Sequence, residues 1–287
     1  MADLALLSLF AGLYSVPMYA LIQLRAQPSH RARIIAANNI LNALFMIASA
    51  VIVGALLQAG FSIPQVFLVM ALLNAVVATY IFALVPEYLL RFIAFVVARV
   101  VYRFQVRGDE NIPTKGAALL VCNHVSFIDP VLLMAASPRP IVFIMDHQIF
   151  RNRVLGWFFR LAKAIPIAPQ KVDAVIYEQA FARGRRVLEE GDLLCIFPEG
   201  GITRDGELAE FKGGVMKLLE THPVPVVPIA LQNLWGSFFS RIEGSAMRRP
   251  FRRGLFSRVA LVAGAAIPAV QASPAALRER VGRLLAS

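Results

Sequence analysis

Charge is scarce in this chain, and it is absent from two long stretches of the first hundred residues. Only 16% of the 287 residues are charged, whereas soluble domains average about 25%. No charged residue occurs in the stretches 4–24 and 34–86. The mean hydropathy of +0.64 agrees with this shortage. The chain is therefore too apolar to be a wholly soluble protein.

Cysteine is also scarce, since Cys122 and Cys195 are the only two. Each lies in an apolar run just before a polar turn, which is typical of a small buried side chain in a reducing compartment. Neither a disulfide nor a cysteine metal site is expected. The sequence also lacks a Gly-x-Ser-x-Gly elbow and a His-Glu-x-x-His helix, so neither a serine nucleophile nor a zinc site is indicated. We expect no metal and no bound cofactor.

The few charges are unbalanced, with 29 Lys and Arg against 18 Asp and Glu and a formal net charge of +11. An apolar and basic chain fits an anionic membrane surface. Nucleic acid is the other partner that a basic balance suggests, but no aromatic-basic RNA motif, zinc-finger spacing or basic recognition helix occurs. The expected partner is therefore a membrane. The basic run 247–253 suits an anionic surface, either of lipid headgroups or of an acidic carrier protein, and a solvated loop fits it nearly as well.

The uncharged stretches predict about three transmembrane helices, because one span needs about 20 apolar residues. The expected spans are near 4–24, 36–59 and 65–86. The turn between the last two is expected at 60–64, where Pro64 suits the first turn of a helix. A cleaved signal peptide is not expected, since no basic segment precedes the first span and further spans follow.

The charges around these spans predict their orientation. Arg25, Arg31 and Arg33 crowd the first connection, the 60–64 connection has no charge, and arginines recur after the third span. The positive-inside rule then places the N-terminus outside and everything after the third span in the cytoplasm. We expect the stretch 87–103 to be a helix that either lies along the membrane interface or extends the third span.

Amide side chains interrupt the apolar spans. Asn38 and Asn42 lie one helical turn apart, and Asn74 lies in the third span. Amides inside a membrane need hydrogen-bond partners, which favours helix–helix adhesion. A role in transport is the alternative interpretation.

After Arg107 the pattern changes to short apolar runs separated by amphipathic stretches. The runs predict six strands, at 104–106, 117–122, 141–145, 192–197, 226–231 and 259–263. The other stretches predict helices near 130–136, 147–163, 174–190, 212–221 and 275–286. This alternation indicates an α/β domain over 104–287, with a mostly buried sheet flanked by helices.

Three local signals fix helix ends in this domain. Asp173 is expected to cap the start of the helix near 174–190, and Gly191 is expected to end it. Ser273 and Pro274 are expected to open the last helix in the same way.

Polar side chains follow the predicted strand 117–122, where Asn123 and His124 occur, and Asp129 opens the next helix. Such strand ends are where open α/β sheets place their sites. Around one turn, the Asp129 carboxylate can bond one imidazole nitrogen and leave the other as a base. Asp129 before Pro130 also fits a helix N-cap, and His124 also fits a satisfied turn histidine.

A second polar turn follows the predicted strand 192–197. It reads Pro198-Glu199-Gly200-Gly201, followed by Thr203-Arg204. Glycines let the backbone approach a ligand closely, and the donor fork of an arginine suits a phosphate. An ordinary glycine-rich turn with a solvated arginine fits the same sequence.

The two turns together resemble the motifs of an enzyme family. Asn123-His124-Val-Ser126-Phe-Ile-Asp129, a His-x4-Asp pattern, resembles the first motif of the glycerolipid acyltransferases that make phosphatidic acid and remodel lysophospholipids. Phe197-Pro198-Glu199-Gly200, with Thr203 and Arg204, resembles their third motif, and the segment 224–229 resembles the fourth. The likeness covers roughly residues 104–270.

The resemblance implies transfer of a fatty acyl chain from acyl carrier protein or coenzyme A to a lysophospholipid hydroxyl, at the bacterial inner membrane. It implies that His124 is the general base and that Asp129 orients it. The implied substrate-binding residues are Asn123, Ser126, Glu199, Gly200, Thr203, Arg204 and Lys171. A non-catalytic lipid-handling module is the competing expectation, and the presence of both polar turns disfavours it.

Two departures from the family pattern bear on the substrate. The second-motif stretch 164–171 has Lys171 near its end and no arginine, and Gly201-Ile202 lengthen the third motif. Both features resemble the branch that acylates lysophosphatidylethanolamine. The family motifs imply 1-acyl-glycerol-3-phosphate as the acceptor, and these two departures favour lysophosphatidylethanolamine over it.

The N-terminal part also resembles a feature of that branch, which is often fused to a transporter. The segments 16–23 and 36–40 resemble part of the last three spans of a major-facilitator lysophospholipid transporter. Three spans are too few for transport. They imply a membrane anchor that delivers lipid, or a remnant of such a fusion.

Overall fold

The chain is described by a computed structural model, and it divides into two compact units, Met1–Tyr80 and Ile81–Ser287. The described residues are 2–27, 29–84, 86–151, 153–237, 239–240 and 256–287. The basic run 247–253 lies outside the described residues.

Three helices occupy the described residues up to Leu84. They are α1 (Ala2–Arg25), α2 (Arg31–Gln58) and α3 (Ile63–Leu84). No residue of α2 is buried, and Phe45 and Met46 are 70% and 72% exposed. Apolar side chains exposed along a whole helix require apolar surroundings other than water.

Two of these helices are long and apolar enough to cross a membrane, by length and composition. They are α2, over Arg31–Gln58, and the part Ile63–Ile81 of α3. The described apolar stretch of α1 is Asp3–Leu13, which is shorter than a span. About three spans were expected, so the span near 4–24 stays a prediction.

An amide does connect neighbouring helices in this part of the chain. Asn42 Nδ2 donates a hydrogen bond to the Tyr19 hydroxyl of α1, at 2.7 Å. Asn74 Nδ2 instead donates to the Met70 carbonyl of its own helix, at 2.9 Å. The expected helix–helix hydrogen bond is therefore present at Asn42.

The second unit contains one seven-stranded sheet among its described residues. Its strands are β1 (Tyr102–Arg107), β2 (Ala118–Cys122), β3 (Ile141–Asp146), β4 (Ile165–Ile167), β5 (Leu193–Ile196), β6 (Val226–Gln232) and β7 (Ser257–Ala263). Their order across the sheet is β1-β7-β6-β2-β5-β3-β4. The five strands from β6 to β4 run parallel, and the β1–β7 pair runs antiparallel to them.

Six helices belong to this unit in the described part of the chain. They are α4 (Pro86–Val101), α5 (Asp129–Ala136), α6 (Arg153–Leu161), α7 (Ala174–Glu189), α8 (Gly214–Leu219) and α9 (Pro274–Ala286). Every residue of β2, β5 and β6 is buried, as expected for parallel strands covered by helices on both faces. Leu120 and Cys122 face one apolar cluster, and Leu119 and Val121 face the other.

Helix α4 has one buried stripe and one exposed apolar face. Leu90, Ala94 and Ala98 recur every four residues and are buried. Phe92 and Phe95 are exposed, at 64% and 45%. An exposed aromatic face suits the interfacial helix expected near 87–103, and that location stays a prediction.

The α/β class is confirmed, and each of the six predicted strands is present with ends shifted by at most two residues. β4 was missed, since three residues that include Pro166 are too short to give a pattern.

The prediction of one continuous helix at 147–163 was wrong. The chain instead forms a 3-10 turn at His147–Arg151, and α6 begins at Arg153. A Cβ at Gly156 would collide with the Phe150 carbonyl, so α6 packs directly on that turn.

The predicted helix ends are confirmed. Asp173 Oδ1 accepts a hydrogen bond from the Ile176 amide at 2.9 Å, and Ser273 Oγ accepts one from the Ala276 amide at 3.2 Å. Gly191 has φ of 84°, the left-handed conformation that ends a helix.

Replacing the cap of α7 should destabilise the second unit. Asp173→Ala leaves the Ile176 amide without its acceptor, so we expect the free energy of unfolding to fall by about 1 kcal/mol. Thermal denaturation of the purified protein in detergent measures this. Asp173→Asn keeps an acceptor and should retain most of the stability. Equal losses in both variants would contradict a capping role.

Candidate active site

The two polar turns lie next to each other at the carboxyl ends of two central strands of the sheet. β2 and β5 are adjacent parallel strands, with Val121 paired to Ile196. Each turn follows the carboxyl end of its strand, where open α/β sheets place their sites. The structure therefore brings His124 and Glu199 together from positions 75 residues apart.

The histidine and the aspartate of the first turn form a hydrogen-bonded pair. His124 Nδ1 lies 2.7 Å from Asp129 Oδ2. The same oxygen accepts hydrogen bonds from the Val125 amide at 2.7 Å and the Ser126 amide at 3.0 Å. A carboxylate only accepts, so Nδ1 carries the hydrogen and Nε2 keeps a free lone pair. This arrangement suits a general base.

Asp129 is completely buried and does not cap α5. It is the first residue of the helix, and Ile128 occupies the capping position without a side-chain hydrogen bond. The Asp129 carboxylate turns back towards the loop before the helix. The N-cap interpretation of Asp129 was therefore wrong, because the carboxylate serves the imidazole and the loop amides.

An aromatic ring covers one face of the imidazole. The rings of His124 and Phe197 are stacked, with centroids 4.2 Å apart and planes inclined by 20°. The His124 side chain is 18% exposed. Phe197 was not recognised as a site residue, although its position just before the second polar turn was the available signal.

Glu199 holds the two turns together. Its Oε1 accepts a hydrogen bond from the His124 amide at 2.6 Å, and its Oε2 accepts one from the Ala209 amide at 3.0 Å. Burial raises the pKa of Glu199, and these two hydrogen bonds act in the opposite direction. Both carboxylate oxygens are thus engaged by the backbone, which fixes the position of His124.

Thr203 organises the loop that follows. Its amide donates to the His124 carbonyl at 2.9 Å. Its hydroxyl lies 2.8 Å from Asp205 Oδ1 and accepts a hydrogen bond from the Gly206 amide at 3.0 Å. Glu199 and Thr203 therefore bind the backbone amide and the backbone carbonyl of His124, respectively.

Asn123 and Ser126 are also engaged within the protein. The Asn123 amide pairs with the backbone of Leu231 in β6, with distances of 3.2 Å from Nδ2 to O and 2.8 Å from N to Oδ1. Ser126 is fully buried, and its hydroxyl lies 3.5 Å from the Ile128 amide. The substrate-binding role of both residues stays a prediction.

The remaining predicted residues lie at the surface or in the turn. Gly200 has φ of 73°, and a Cβ there would collide with the Lys212 side chain. Arg204 is exposed and forms no hydrogen bond or ion pair with the described residues. Lys171 is exposed in the turn before α7. The structure does not bring Lys171 or Arg204 into the wall of the pocket beside His124.

A pocket of about 100 Å³ lies beside His124. Its apolar wall includes Leu208, Trp235 and Leu285, and its polar wall includes Asn123 and Glu199 beside the histidine. At about 30 Å³ for each water molecule, this volume holds a small group such as a hydroxyl-bearing end of a ligand. Sequence reasoning missed the three apolar residues, because nothing local marks them.

The second unit matches known proteins over the region that carries these turns. Residues 103–232 match the model of the family described as Acyltransferase. A chloroplastic 1-acyl-sn-glycerol-3-phosphate acyltransferase of Arabidopsis thaliana is 30% identical over 131 residues, which are 45% of this chain and 36% of that protein. The 1-acyl-sn-glycerol-3-phosphate acyltransferase of Limnanthes douglasii is 34% identical over 147 residues, 51% of this chain and 50% of that protein.

A bacterial relative and a solved structure agree with this. The 1-acyl-sn-glycerol-3-phosphate acyltransferase of Bacillus subtilis is 26% identical over 134 residues, 45% of this chain and 62% of that protein. The crystal structure of the 1-acyl-sn-glycerophosphate acyltransferase PlsC from Thermotoga maritima has a TM-score of 0.52 and 22% identity, covering 69% of this chain and 77% of that one. At this identity the likeness shows the fold.

The matched segment contains His124, Asp129 and Glu199, and the class predicted from the motifs, an O-acyltransferase, is confirmed for it. The chain spans less than two thirds of the length of these curated relatives. The activity and the substrates of the whole chain are therefore a separate proposal.

The buried Glu199 should leave a signature in the pH dependence of stability. Its pKa is raised on folding, so the folded state binds more protons than the unfolded state above about pH 4.3, the ordinary pKa of glutamate. The contribution of Glu199 to stability therefore falls as pH rises through that window. Glu199→Gln cannot titrate, so the melting temperature of the wild type relative to this variant should fall as the pH rises above the ordinary pKa of glutamate.

The measurement is a series of melting curves for both proteins across that range. Glu110→Gln, an exposed carboxylate on the surface, controls for the loss of one negative charge. A constant difference between wild type and Glu199→Gln would show that Glu199 does not titrate differently on folding.

Proposed function

We propose that this chain is a membrane-bound O-acyltransferase that moves a fatty acyl chain from a thioester to the hydroxyl of a lysophospholipid. The observation that carries the proposal is the His124–Asp129 pair, with 2.7 Å between Nδ1 and Oδ2, beside a pocket of about 100 Å³. The match of residues 103–232 to the acyltransferase family supports the same chemistry.

The proposed reaction is one direct transfer. His124 Nε2 takes the proton of the acceptor hydroxyl as its oxygen attacks the thioester carbonyl carbon. The C–O ester bond forms, the C–S bond breaks, and the imidazolium returns the proton to the leaving sulfur. The substrate supplies the nucleophile, so no acyl-enzyme forms. The protein contributes alignment and a base.

The residues around the base have supporting roles in this proposal. Asp129 keeps the imidazole in the required tautomer and stabilises the imidazolium that forms. Glu199 and Thr203 hold the His124 backbone from both sides, and Phe197 fixes the ring. These contacts set the direction in which Nε2 points before a substrate arrives.

The proposed donors are the thioesters of acyl carrier protein and coenzyme A. The proposed acceptors are 1-acyl-glycerol-3-phosphate, the substrate in the names of the relatives, and lysophosphatidylethanolamine. Arg204 and Lys171 are exposed cations, and Arg204 directly follows the pocket residue Thr203. We propose that Gly200, Arg204 and Lys171 contact the acceptor headgroup.

The proposed location is the bacterial inner membrane, with the domain 104–287 in the cytoplasm. The apolar helices α2 and α3, the exposed apolar face of α4 and the basic loops support it. The family match begins at residue 103, so the likeness of the N-terminal helices to transporter spans rests on the sequence alone. In this proposal these helices anchor the enzyme.

A lipid-handling module without catalysis is the competing function. Such a module needs a pocket, but it has no use for an imidazole held by a buried carboxylate with its second nitrogen free. The geometry of His124 and Asp129 therefore favours the enzyme.

Removing the base should slow turnover strongly while the protein remains folded. His124→Ala is expected to lower kcat about 10²–10⁴-fold, the usual contribution of a general base. The assay follows labelled acyl chains from acyl carrier protein and from coenzyme A into each of the two acceptors. Asp129→Asn should also lose activity, because the amide can hold the wrong tautomer of His124.

The chain offers a matched control for these variants. His147 also lies beside an aspartate, with 3.2 Å from Nδ1 to Asp146 Oδ1 and a side chain 22% exposed, but it lies outside the pocket. His147→Ala should keep wild-type turnover. Wild-type rates in His124→Ala would disprove the mechanism, and no transfer by the wild type with any donor and acceptor would favour the lipid-handling module.

A further inference from the structure

A second pocket, of about 570 Å³, lies beside the start of β4, which is the last strand of the sheet in the described residues. It is built from residues 163–166 around the start of β4, the end of α6, the last turns of α7, and Phe150. It shares no lining residue with the pocket beside His124. Its volume falls within the range of small-molecule sites, about 300–1,000 Å³.

The lining of this β4-edge pocket is cationic over an apolar floor. Arg160, Lys163, Arg183 and Arg186 contribute four positive charges, and Glu190 contributes one negative charge. Arg183 and Arg186 lie three residues apart on one face of α7 and form no ion pair with the described residues. The floor includes Phe150, Ile165 and Val187. This combination fits an anion carried on a partly apolar body.

The backbone of Lys163 adds an independent observation. Its φ is 54°, a left-handed conformation that L-residues rarely adopt and that glycine adopts readily. Lys163 ends α6 in a Schellman motif, with its amide bonded to the Arg160 carbonyl and the Ala164 amide bonded to the Phe159 carbonyl. A lysine where glycine fits better is a feature that a binding role would explain.

The strand register relates this pocket to the His124 site. Leu120 pairs with Cys195, Cys195 with Phe143, and the next residue of β3, Ile144, with Ile165. The start of β4 is thus almost level with the end of β2. β4 is the third strand from β2, so the lateral separation is about 14 Å. An extended chain reaches from one pocket to the other.

We infer that the β4-edge pocket binds the phosphate-bearing part of the thioester donor, which rests on the proposed function. Coenzyme A and acyl carrier protein share a phosphopantetheine arm, a phosphate on a long and partly apolar chain that ends in the thioester sulfur. A phosphate held by Lys163, Arg183 and Arg186 leaves the arm to run across the sheet to His124. Pairing of a peptide strand to β4 is disfavoured, because β4 has three residues and Pro166 removes one donor.

Charge reversal in this pocket should weaken donor use selectively. Arg186→Glu and Arg183→Glu are each expected to raise the donor KM about tenfold or more, the loss of a hydrogen bond to a charged group. The kcat at saturating donor and the acceptor KM should stay within about twofold, since neither residue touches the His124 pocket. Arg258→Glu makes the same charge change on β7, far from β4 in the strand order, and should leave the donor KM unchanged.

Lys163→Gly tests the same pocket without a loss of folding. Glycine suits the left-handed backbone, so this variant should melt no lower than the wild type and still show a raised donor KM. Free 4′-phosphopantetheine should inhibit the wild type competitively against the donor and inhibit Lys163→Gly about tenfold less.

The arms of the experiment separate the sources of the phosphate. A raised KM for both acyl-coenzyme A and acyl carrier protein would show that the pocket binds the shared phosphopantetheine arm. A raised KM for acyl-coenzyme A alone would show that the pocket binds the nucleotide phosphates of coenzyme A. A rise for acyl carrier protein alone, without inhibition by 4′-phosphopantetheine, would overturn the inference in favour of protein docking. A rise in the acceptor KM alone would overturn it in favour of a lipid headgroup.

Binding of free coenzyme A, measured by calorimetry, separates this inference from the proposed function. Weaker binding of coenzyme A to Arg186→Glu than to Arg258→Glu supports the inference about the pocket, even if the wild type shows no turnover. Absence of turnover would contradict the proposed function but not the binding site. Normal turnover with unchanged donor KM in all three pocket variants would overturn the inference and leave the proposed function intact.

Discussion

A single carboxylate oxygen, Asp129 Oδ2, receives hydrogen bonds from an imidazole and two backbone amides. A buried carboxylate needs such donors, because burial of an unpaired charge is very costly. The loop from His124 to Ser126 must therefore wrap around this oxygen, and the wrapping orients the ring. Glu199 repeats the principle between the two turns, where each of its oxygens accepts one amide. Two buried acids thus determine where the imidazole of His124 lies.

Much of this site could be predicted because its signals are local. His124 and Asp129 are five residues apart, and the caps at Asp173 and Ser273 depend on the next few residues of the chain. The sheet could be predicted because buried strands are continuous apolar runs. β4 and the break in 147–163 were missed, since they depend on packing between segments, such as Gly156 against Phe150. Leu285 could not be found for the same reason.

The structure also changes how the motif residues are interpreted. Asn123, Glu199 and Thr203 have polar side chains that the sequence presents as possible ligand groups. In the fold these side chains bond to backbone groups of Leu231, His124, Ala209 and Gly206, as buried polar groups require. Polar residues of a motif in a strand-end turn can therefore hold the backbone of a site in place, and they need not contact a ligand. Arg204 and Lys171, in contrast, have exposed side chains.

The pocket beside His124 combines two kinds of parts. His124 and Asp129 come from one short loop, whereas Leu285 comes from α9. Gln232 Nε2 in β6 donates a hydrogen bond to the Leu284 carbonyl of α9 at 2.6 Å, which helps to hold this helix in place. A substitution on α9 can thus alter the shape of the cavity while every hydrogen bond to the imidazole remains. The shape of this cavity and the orientation of the imidazole can therefore change independently of each other, because they depend on segments that are far apart in the chain.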